Sequence, residues 1–433
     1  MNNDARVILW GRAIGAVTWL DDREVAVFQY TPEFLNSGIQ LAPLMMPLAE
    51  FPYEFPALAR GTFRGLPGLL ADSLPDRFGN ALIDAWLAAQ GRAPGSFHPV
   101  ERLCYVGHRG MGALEFEPAV LGPPSSTSTI DLANLVELVN RVLDERSSLS
   151  GVLAGEDDGK AMQDILRVGT SAGGARAKAI LAWNPETGEF RSGQIDAAAG
   201  FEHWLLKFDG ISNNRDKELA DPKGYGKIEY AYHLMAVEAG IHMMPCRLLH
   251  EGGRSHFMTK RFDRTADGGK RHLQSLGAIA HVDFNHAGAY SYEQAIQVMR
   301  QLSLPREDLE QQVLRAVFNV VGRNQDDHVK NIAFLMNRRG EWRLSPAFDI
   351  TYAYNPAGAW TNRHQMSIHG KWVDMDREDL IALASAAGIK QARANEMIDR
   401  VIAVMRHWPD FALKADVSDE HMAKVQAALR TNL

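Results

Sequence analysis

The order of apolar and polar positions divides the chain into a strand-rich first half and a helix-rich second half. Residues 5–50 alternate short β-type runs, such as RVILWG and EVAVFQY, with turn residues, which predicts a small, strongly bent sheet or barrel. An amphipathic helix is predicted from about Phe78 to Gln90, and a strand at GALEFEPAV closes this region. The next stretch, Leu121–Thr129, is rich in proline and serine and is typical of a linker or an ordered surface loop.

The middle of the chain mixes helical and strand periods. The run DLANLVELVNRVLDER has helical spacing, and a loop rich in glycine and alanine, Gly169–Ala179, precedes a strand-like run. The predicted strand HWLLKFD, the helix KIEYAYHLMAVEAGI and strands at CRLLHE and SHFMTKRFDR follow. Beyond about Ser275 the apolar spacing is mostly helical, as in DLEQQVLRAVFNVVG. We therefore expect an α+β fold.

Composition narrows the class of protein further. With 433 residues and 46% hydrophobic residues the chain can bury a substantial core, and no apolar run reaches the ~20 residues that cross a bilayer. Cys104 and Cys246 lie far apart in no metal-binding spacing, so we expect neither disulfides nor a thiolate zinc site, and a cytoplasmic protein without a secretory signal. The net charge of −7 argues against binding of nucleic acid by this chain alone.

The stretch NQDDHVKNIAF carries the strongest chemical signal. Asp326 and Asn331 have the D-x-x-x-x-N spacing of a kinase catalytic loop, in which the acid accepts a hydrogen bond from the attacking hydroxyl and the amide oxygen binds magnesium. Asp349 follows a predicted hairpin and could bind a metal that bridges the phosphates. This spacing alone is common in solvated loops, so the assignment depends on what precedes it.

The sequence before Asp326 contains candidates for the other parts of a kinase site, in the order in which protein kinases carry them. The loop Gly169–Ala179 has little side-chain bulk, so its backbone amides could approach a triphosphate. Lys207 lies in an apolar strand, where its ammonium needs a phosphate or carboxylate partner, and Glu229 could be that partner. The strand Phe257–Arg264 lies where a kinase places the hinge that binds adenine.

On these motifs the chain resembles the HipA family of bacterial toxin kinases. The matching pieces are GLPGLLADSLPDRFG, GMGALEFEP, SAGGARAK, LLKFD, KRFDR, DDHVKN and PAFDI. The resemblance implies a bilobal protein-kinase-like fold with an extra β-rich subdomain. Its expected parts are the subdomain at 1–120, the rest of the kinase N-lobe with phosphate loop and hinge at 130–265, and a mostly helical C-lobe at 266–433.

The resemblance also implies roles for single residues. Asp326 would be the catalytic base, Asn331 and Asp349 the Mg²⁺ ligands, and Ser171 a loop serine that becomes autophosphorylated. The residues implied to contact ATP are Ser171, Gly173, Gly174, Ala175, Lys178, Lys207, Lys260, Phe262, His328 and Lys330.

Three functions stay open at this point. The first is an ATP-dependent serine/threonine protein kinase that acts as a toxin on a protein of translation, an aminoacyl-tRNA synthetase being the family pattern, with a HipB-like helix-turn-helix antitoxin as its partner. The second is an autoregulatory component of the complex between antitoxin and operator DNA, with weak or silent kinase activity. The third is a small-molecule phosphotransferase related to aminoglycoside kinases, which the additional first region of about 120 residues disfavours.

Overall fold

Among the described residues, three antiparallel sheets of three to five strands form the frame of the fold, with helices between and after them. The structure is a computed structural model, and it describes residues 3–75, 77–89, 91–93, 96–120, 130–131, 133–137, 139, 177–193, 200–210, 215–216, 219–220, 223–265 and 267–433. The expected linker at 121–129 lies outside these residues.

The first region contains a four-stranded antiparallel sheet. Its order is β3-β2-β1-β4, with a register shift between Val7 and Ile8 where β1 meets β2. Such a bulge bends a sheet, as the sequence predicted. The edge strands β3 and β4 do not pair with each other, so among the described residues this sheet is open and the alternative of a closed barrel is wrong. Its strands are β1 Asp4–Leu9, β2 Arg12–Leu20, β3 Val25–Tyr30 and β4 Leu114–Glu117.

The described residues of the same region form five helices. The fourth begins at Arg77 and ends at Ala89, close to the predicted bounds. The fifth begins after His98, whose ring accepts the backbone N–H of Glu101 at 3.2 Å, and it has proline at its first position, where no N–H is needed. The helices are α1 Pro32–Leu35, α2 Arg60–Phe63, α3 Gly68–Ala71, α4 Arg77–Ala89 and α5 Pro99–Val106.

The second sheet has five strands in the order β10-β11-β7-β5-β6. Helix α6, Tyr225–Glu238, packs on β10 and β11, and at Gly226 an added Cβ would lie 2.5 Å from the carbonyl oxygen of Ser255. Only glycine permits this approach of helix to strand. The sheet strands, with the short hairpin β8–β9 beside them, are β5 Lys178–Trp183, β6 Phe190–Ser192, β7 Glu202–Lys207, β8 Arg215–Asp216, β9 Leu219–Ala220, β10 Cys246–Glu251 and β11 Arg254–Lys260.

The last part of the chain is mostly helical around a small three-stranded sheet, β12-β14-β15. Short strands β13 and β16 pair in parallel, and a 3₁₀ turn, Val329–Asn331, precedes β14. The strands are β12 His272–Ser275, β13 Tyr290–Ser291, β14 Ala333–Met336, β15 Trp342–Leu344 and β16 Met366–Ser367. The helices are α7 Leu276–Ile279, α8 Tyr292–Gln301, α9 Arg306–Val321, α10 Arg377–Ala386, α11 Gln391–Arg406, α12 Trp408–Lys414 and α13 Asp419–Ala428.

The hydrophobic cores join these regions. One cluster combines Leu82, Ile83 and Leu87 of α4 with residues of the five-stranded sheet, including Leu206 and Met258. A larger cluster runs from the four-stranded sheet through α6 to the C-terminal helices. The first region is therefore packed against the rest, although it precedes the expected linker.

Polar contacts reinforce this packing beside α7. Asp72 accepts the backbone N–H and the hydroxyl of Ser275 at 2.6 and 2.9 Å, and the ring Nε2 of His281 accepts the N–H of Gly68 at 3.0 Å. These bonds join the first region to the segment that precedes the candidate site. The described fold confirms the predicted α+β, kinase-like class, and among the described residues no helix is long and apolar enough to cross a membrane.

Candidate active site

A cleft of about 770 Å³ lies between the five-stranded sheet, the catalytic loop and the first region. This volume is within the usual range of small-molecule sites. The cleft brings together every predicted site residue that the structure describes. They are Lys178, Lys207, Lys260, Phe262, Asp326, His328, Lys330, Asn331 and Asp349.

Lys207, the last residue of β7, is the centre of the charge arrangement. Its Nζ donates to Oε1 of Glu229 at 2.5 Å and to Oδ1 of Asp349. Glu229 is buried in the first turns of α6, so the carboxylate expected from sequence is confirmed as the partner of Lys207. A lysine on a strand paired with a glutamate on the next helix is the arrangement that protein kinases use to position ATP phosphates.

Electrostatics keep Lys207 and Asp349 ionised. Burial alone would lower the pKa of the Lys207 ammonium, but Asp349 and Glu229 raise it above its ordinary value. Burial alone would raise the pKa of the Asp349 carboxyl, but Lys207 and then Lys178 hold it well below its usual range. Asp349 also has a left-handed backbone, with φ of 51°, which is uncommon outside glycine and is typical of strained functional sites.

In the predicted catalytic loop, 326–331, a hydrogen bond joins the first and last residues. The amide nitrogen of Asn331 donates to the backbone carbonyl of Asp326 at 2.8 Å, which leaves the amide oxygen of Asn331 as its acceptor atom. The side chain of Asp326 accepts the indole N–H of Trp360 at 2.6 Å, and Nε2 of His328 lies 3.9 Å from the same carboxylate oxygen.

The donor set fits magnesium. Asn331 offers an amide oxygen and Asp349 a carboxylate to the same cleft, and hard oxygen ligands with few protein contacts are what Mg²⁺ prefers beside phosphates. The hydrogen bond to Asp326 engages the amide nitrogen of Asn331, so its oxygen is the atom that would bind the cation.

Asp327 has a different role from its neighbour. It is buried, and its carboxylate accepts from Tyr292 Oη at 2.8 Å, from His364 Nδ1 at 2.8 Å and from the backbone N–H of Gln365 at 2.7 Å. Burial, with Asp327 beside it, raises the pKa of Tyr292 well above its usual value, so the phenol remains a donor. Asp327 thereby anchors the catalytic loop to the segment that follows Asp349.

The predicted hinge carries a second buried carboxylate. Asp263 accepts from Arg261 at 2.9 and 2.7 Å, from Arg264 at 2.8 Å and from the backbone N–H of Gly112 at 2.7 Å. Burial alone would raise the pKa of Asp263, but the two guanidinium groups hold it well below its usual range. The FDR part of the hinge motif therefore fastens the first region to the kinase-like half.

The two predicted adenine contacts differ in what they can offer. The backbone N–H of Lys260 already donates to the carbonyl of Pro245 at 2.9 Å, and its side chain to Glu202 at 2.6 Å. The ring of Phe262 lies 5.6 Å from that of Phe348, which makes an apolar surface in the cleft. Apolar contact from Phe262 is thus available, whereas the Lys260 amide would first have to leave Pro245.

The remaining predicted phosphate contacts are described in part. Lys178 pairs in register with Lys207 across β5 and β7. Lys330 lies over the ring of Phe284 at 4.8 Å, and His328 contacts the same ring edge to face. The predicted contacts that lie outside the described residues are Ser171, Gly173, Gly174 and Ala175.

Sequence reasoning missed Trp360 and the side-chain partners of Asp327. Trp360 is 34 residues from Asp326, and His364 is 37 residues from Asp327. No period or short spacing links positions so far apart. The single available signal was the polar run TNRHQ in an otherwise apolar-patterned region.

Comparisons with known proteins agree with this geometry. The model of the HipA-like C-terminal domain matches residues 170–408, more than half of the chain, and that of the HipA N-terminal domain matches residues 5–117. A Sinorhizobium fredii protein named "Putative kinase Y4mE" is 27% identical over 131 residues, which are 28% of this chain and 31% of that protein. The chain thus matches about a third of the length of this curated relative.

A solved structure is similar over nearly the whole chain. It is the Shewanella oneidensis MR-1 toxin–antitoxin system HipA, HipB and its operator DNA complex, with a TM-score of 0.66 and 17% identity, covering 98% of this chain and 94% of that one. This similarity establishes the shared fold.

Proposed function

The chain belongs to the HipA family, and from that premise we propose that it is an ATP-dependent serine/threonine protein kinase that acts as the toxin of a toxin–antitoxin pair. The observation that carries the proposal is the convergence of Lys207, Asp326 and the pair Asn331 and Asp349 on one cleft. These are the charge-positioning parts that phosphoryl transfer requires.

In the proposed reaction Asp326 accepts the proton of the acceptor hydroxyl. The hydroxyl oxygen forms a bond to the γ-phosphorus as the bond from that phosphorus to the β–γ bridging oxygen breaks, and ADP leaves with that oxygen. Lys207 neutralises phosphate charge while Glu229 keeps its ammonium in place. Mg²⁺ held by Asn331 and Asp349 would supply further charge neutralisation on the phosphates.

Transfer of labelled phosphate from ATP to casein and to the protein itself tests this proposal. Asp326→Asn is expected to lower kcat by about 10²- to 10⁴-fold, the usual contribution of a general base. Asp349→Asn should lower it at least as much, because charge stabilisation dominates this chemistry. The control Asp22→Asn changes an exposed acid in the turn after β2 and should leave kcat unchanged. Full transfer by both site variants would refute the kinase assignment.

The finer parts of the proposal follow the family. The acceptor would be a protein of translation, such as an aminoacyl-tRNA synthetase, and autophosphorylation would occur at Ser171. Mass spectrometry after incubation with ATP and lysate identifies both. If phosphate appears in the chain but never at Ser171, the regulatory role of that serine is rejected.

A second proposed role involves the antitoxin of the same toxin–antitoxin pair. The similar Shewanella protein was solved with HipB and operator DNA, and we propose that this chain joins operator DNA through a HipB-like antitoxin. Because its net charge is −7, it should not bind DNA by itself. Tight operator binding by the isolated chain in a mobility-shift assay would contradict this role.

A further inference from the structure

The indole of Trp360 makes a direct contact with the acid proposed as the base. Its Nε1 donates to Oδ1 of Asp326 at 2.6 Å, and both side chains line the cleft. We propose that Trp360 is a positioning residue that holds the carboxylate of Asp326 in one orientation toward the acceptor hydroxyl. The inference rests on the proposed kinase function and adds a residue to it.

Both the backbone and the side chain of Asp326 are held by hydrogen bonds from other residues. Asn331 fixes its backbone through the carbonyl, and Trp360 fixes its side chain. A carboxylate on a loop would otherwise rotate about its terminal torsion, which is broad and soft. A charge-assisted hydrogen bond is short and about twice as strong as a neutral one, so a single indole can select one rotamer. Catalytic groups need such orientation to within about 10–20°.

Hydrogen bonds hold the backbone of Trp360 in place, as expected for a residue that positions a neighbouring side chain. Its backbone carbonyl accepts from Nε2 of Gln365 at 2.7 Å, and the same amide reaches the carbonyl of Gln325 at 3.2 Å. The backbone N–H of Gln365 in turn donates to Asp327. The backbone of Trp360 and the loop that carries Asp326 are therefore attached to one buried frame, and the two segments cannot move apart without breaking these bonds.

Trp360→Phe removes the N–H and keeps an aromatic ring, and Trp372→Phe is its matched control. The indole N–H of Trp372 is buried without a hydrogen-bond partner among the described residues. We expect Trp360→Phe to lower kcat for casein phosphorylation by about 10- to 100-fold, the usual effect of losing a hydrogen bond to a charged group. KM for ATP should stay unchanged, because the indole acts on the base. Trp372→Phe should keep kcat within about twofold of the wild type, since no hydrogen bond is lost.

A double-mutant cycle supplies a readout that a purely structural role would not move. In the Asp326→Asn background, Trp360→Phe should cause little further loss of transfer, because the carboxylate it positions is gone. The same cycle on the thermal midpoint measures the coupling of the two side chains without any catalysis. Additive effects in both measurements overturn the proposal.

Other outcomes are equally decisive. An unchanged kcat for Trp360→Phe rejects the role, and an increased kcat shows that the indole obstructs the acceptor instead. A raised KM for ATP with normal kcat assigns Trp360 to nucleotide binding and likewise rejects it. Failure of the wild-type protein to transfer phosphate rejects the kinase function and the role that rests on it, whereas thermal coupling would still report the contact.

Discussion

The two ends of the cleft are each organised by a buried carboxylate, but the two use different partners. At the hinge, Asp263 faces two guanidinium groups and one backbone N–H. At the catalytic loop, Asp327 faces a phenol, a histidine ring and a backbone N–H. One end is thus held by ion pairs and the other mainly by hydrogen bonds.

The difference between the partners of Asp263 and Asp327 corresponds to the residues that neighbour each carboxylate. Asp327 directly follows Asp326, and a guanidinium there would offer the base a competing cation and the phosphates a competing site. The donors that hold the loop at Asp327 are a phenol, an imidazole and a backbone N–H, with no guanidinium among the described residues. The hinge end has no such conflict, so full positive charges can fasten Gly112 and the first region to it. Charged partners thus join the first region to the hinge at one end of the cleft, while the other end keeps its charges for the proposed ATP phosphates.

Asp263→Ala tests the hinge end and should have the largest effect on stability. It would leave Arg261 and Arg264, whose side chains are 1% and 4% exposed, without their carboxylate. Breaking a buried pair by removing one partner costs about 3–5 kcal/mol. Urea denaturation measures the free energy of unfolding. A loss below about 1 kcal/mol would show that this ion cluster does not hold the hinge.

Asp327→Asn tests the catalytic end and should cost less stability. The amide keeps an acceptor oxygen but turns an NH₂ group toward Tyr292 or His364, at a cost of about 1–3 kcal/mol. Because Asp327 holds the frame of Trp360, kcat should fall as well. The same denaturation and transfer assays measure both effects. If Asp327→Asn lowers the free energy of unfolding more than Asp263→Ala does, the hinge end is not the one whose carboxylate contributes more to stability.

Low pH should lower the free energy of unfolding through His203, which lies at the hinge end of the cleft. Burial, then Arg261 and Arg264, lower the pKa of His203 to about 4, whereas an unfolded histidine takes its proton near 6.5. Between these values the unfolded chain binds more protons, so stability falls as pH falls from about 6.5 to 4, by up to about 1.4 kcal/mol per pH unit for each such histidine. His203→Gln should flatten this slope relative to the wild type when the free energy of unfolding is measured across this range. Equal slopes would exclude His203 as a cause.

Glu202→Gln should have the smallest effect. Its carboxylate pairs with Lys260 at the same end of the cleft, but both side chains are about one third exposed, at 33% and 34%. Exposed pairs contribute about 0–1 kcal/mol and are screened by salt. Urea denaturation at low and high salt measures the loss of unfolding free energy. A loss comparable to that of Asp263→Ala would show that the exposed ion pair contributes as much as the buried one.

Local pattern sufficed for many of the elements, and it predicted an acid, an amide and a lysine that the structure brings to one cleft. Helix α4 was predicted at Phe78–Gln90 and is Arg77–Ala89, because apolar spacing alone defines such a helix. The partner of Lys207 followed from the cost of burying its charge. The support of Asp326 and Asp327 could not be predicted, since Trp360 and His364 reach them through tertiary packing that no spacing records.

The hydrogen bond from Gly112 to Asp263 also sets an order of events during synthesis. The two residues are 151 positions apart, and Trp10 donates to the carbonyl of Lys270 across 260 positions. At ribosomal rates of about 5–20 residues per second, roughly 8–30 s separate the appearance of Gly112 from that of its acceptor. The nascent first region must wait through that interval with part of its surface uncovered, so chaperone dependence should end only when the hinge has emerged.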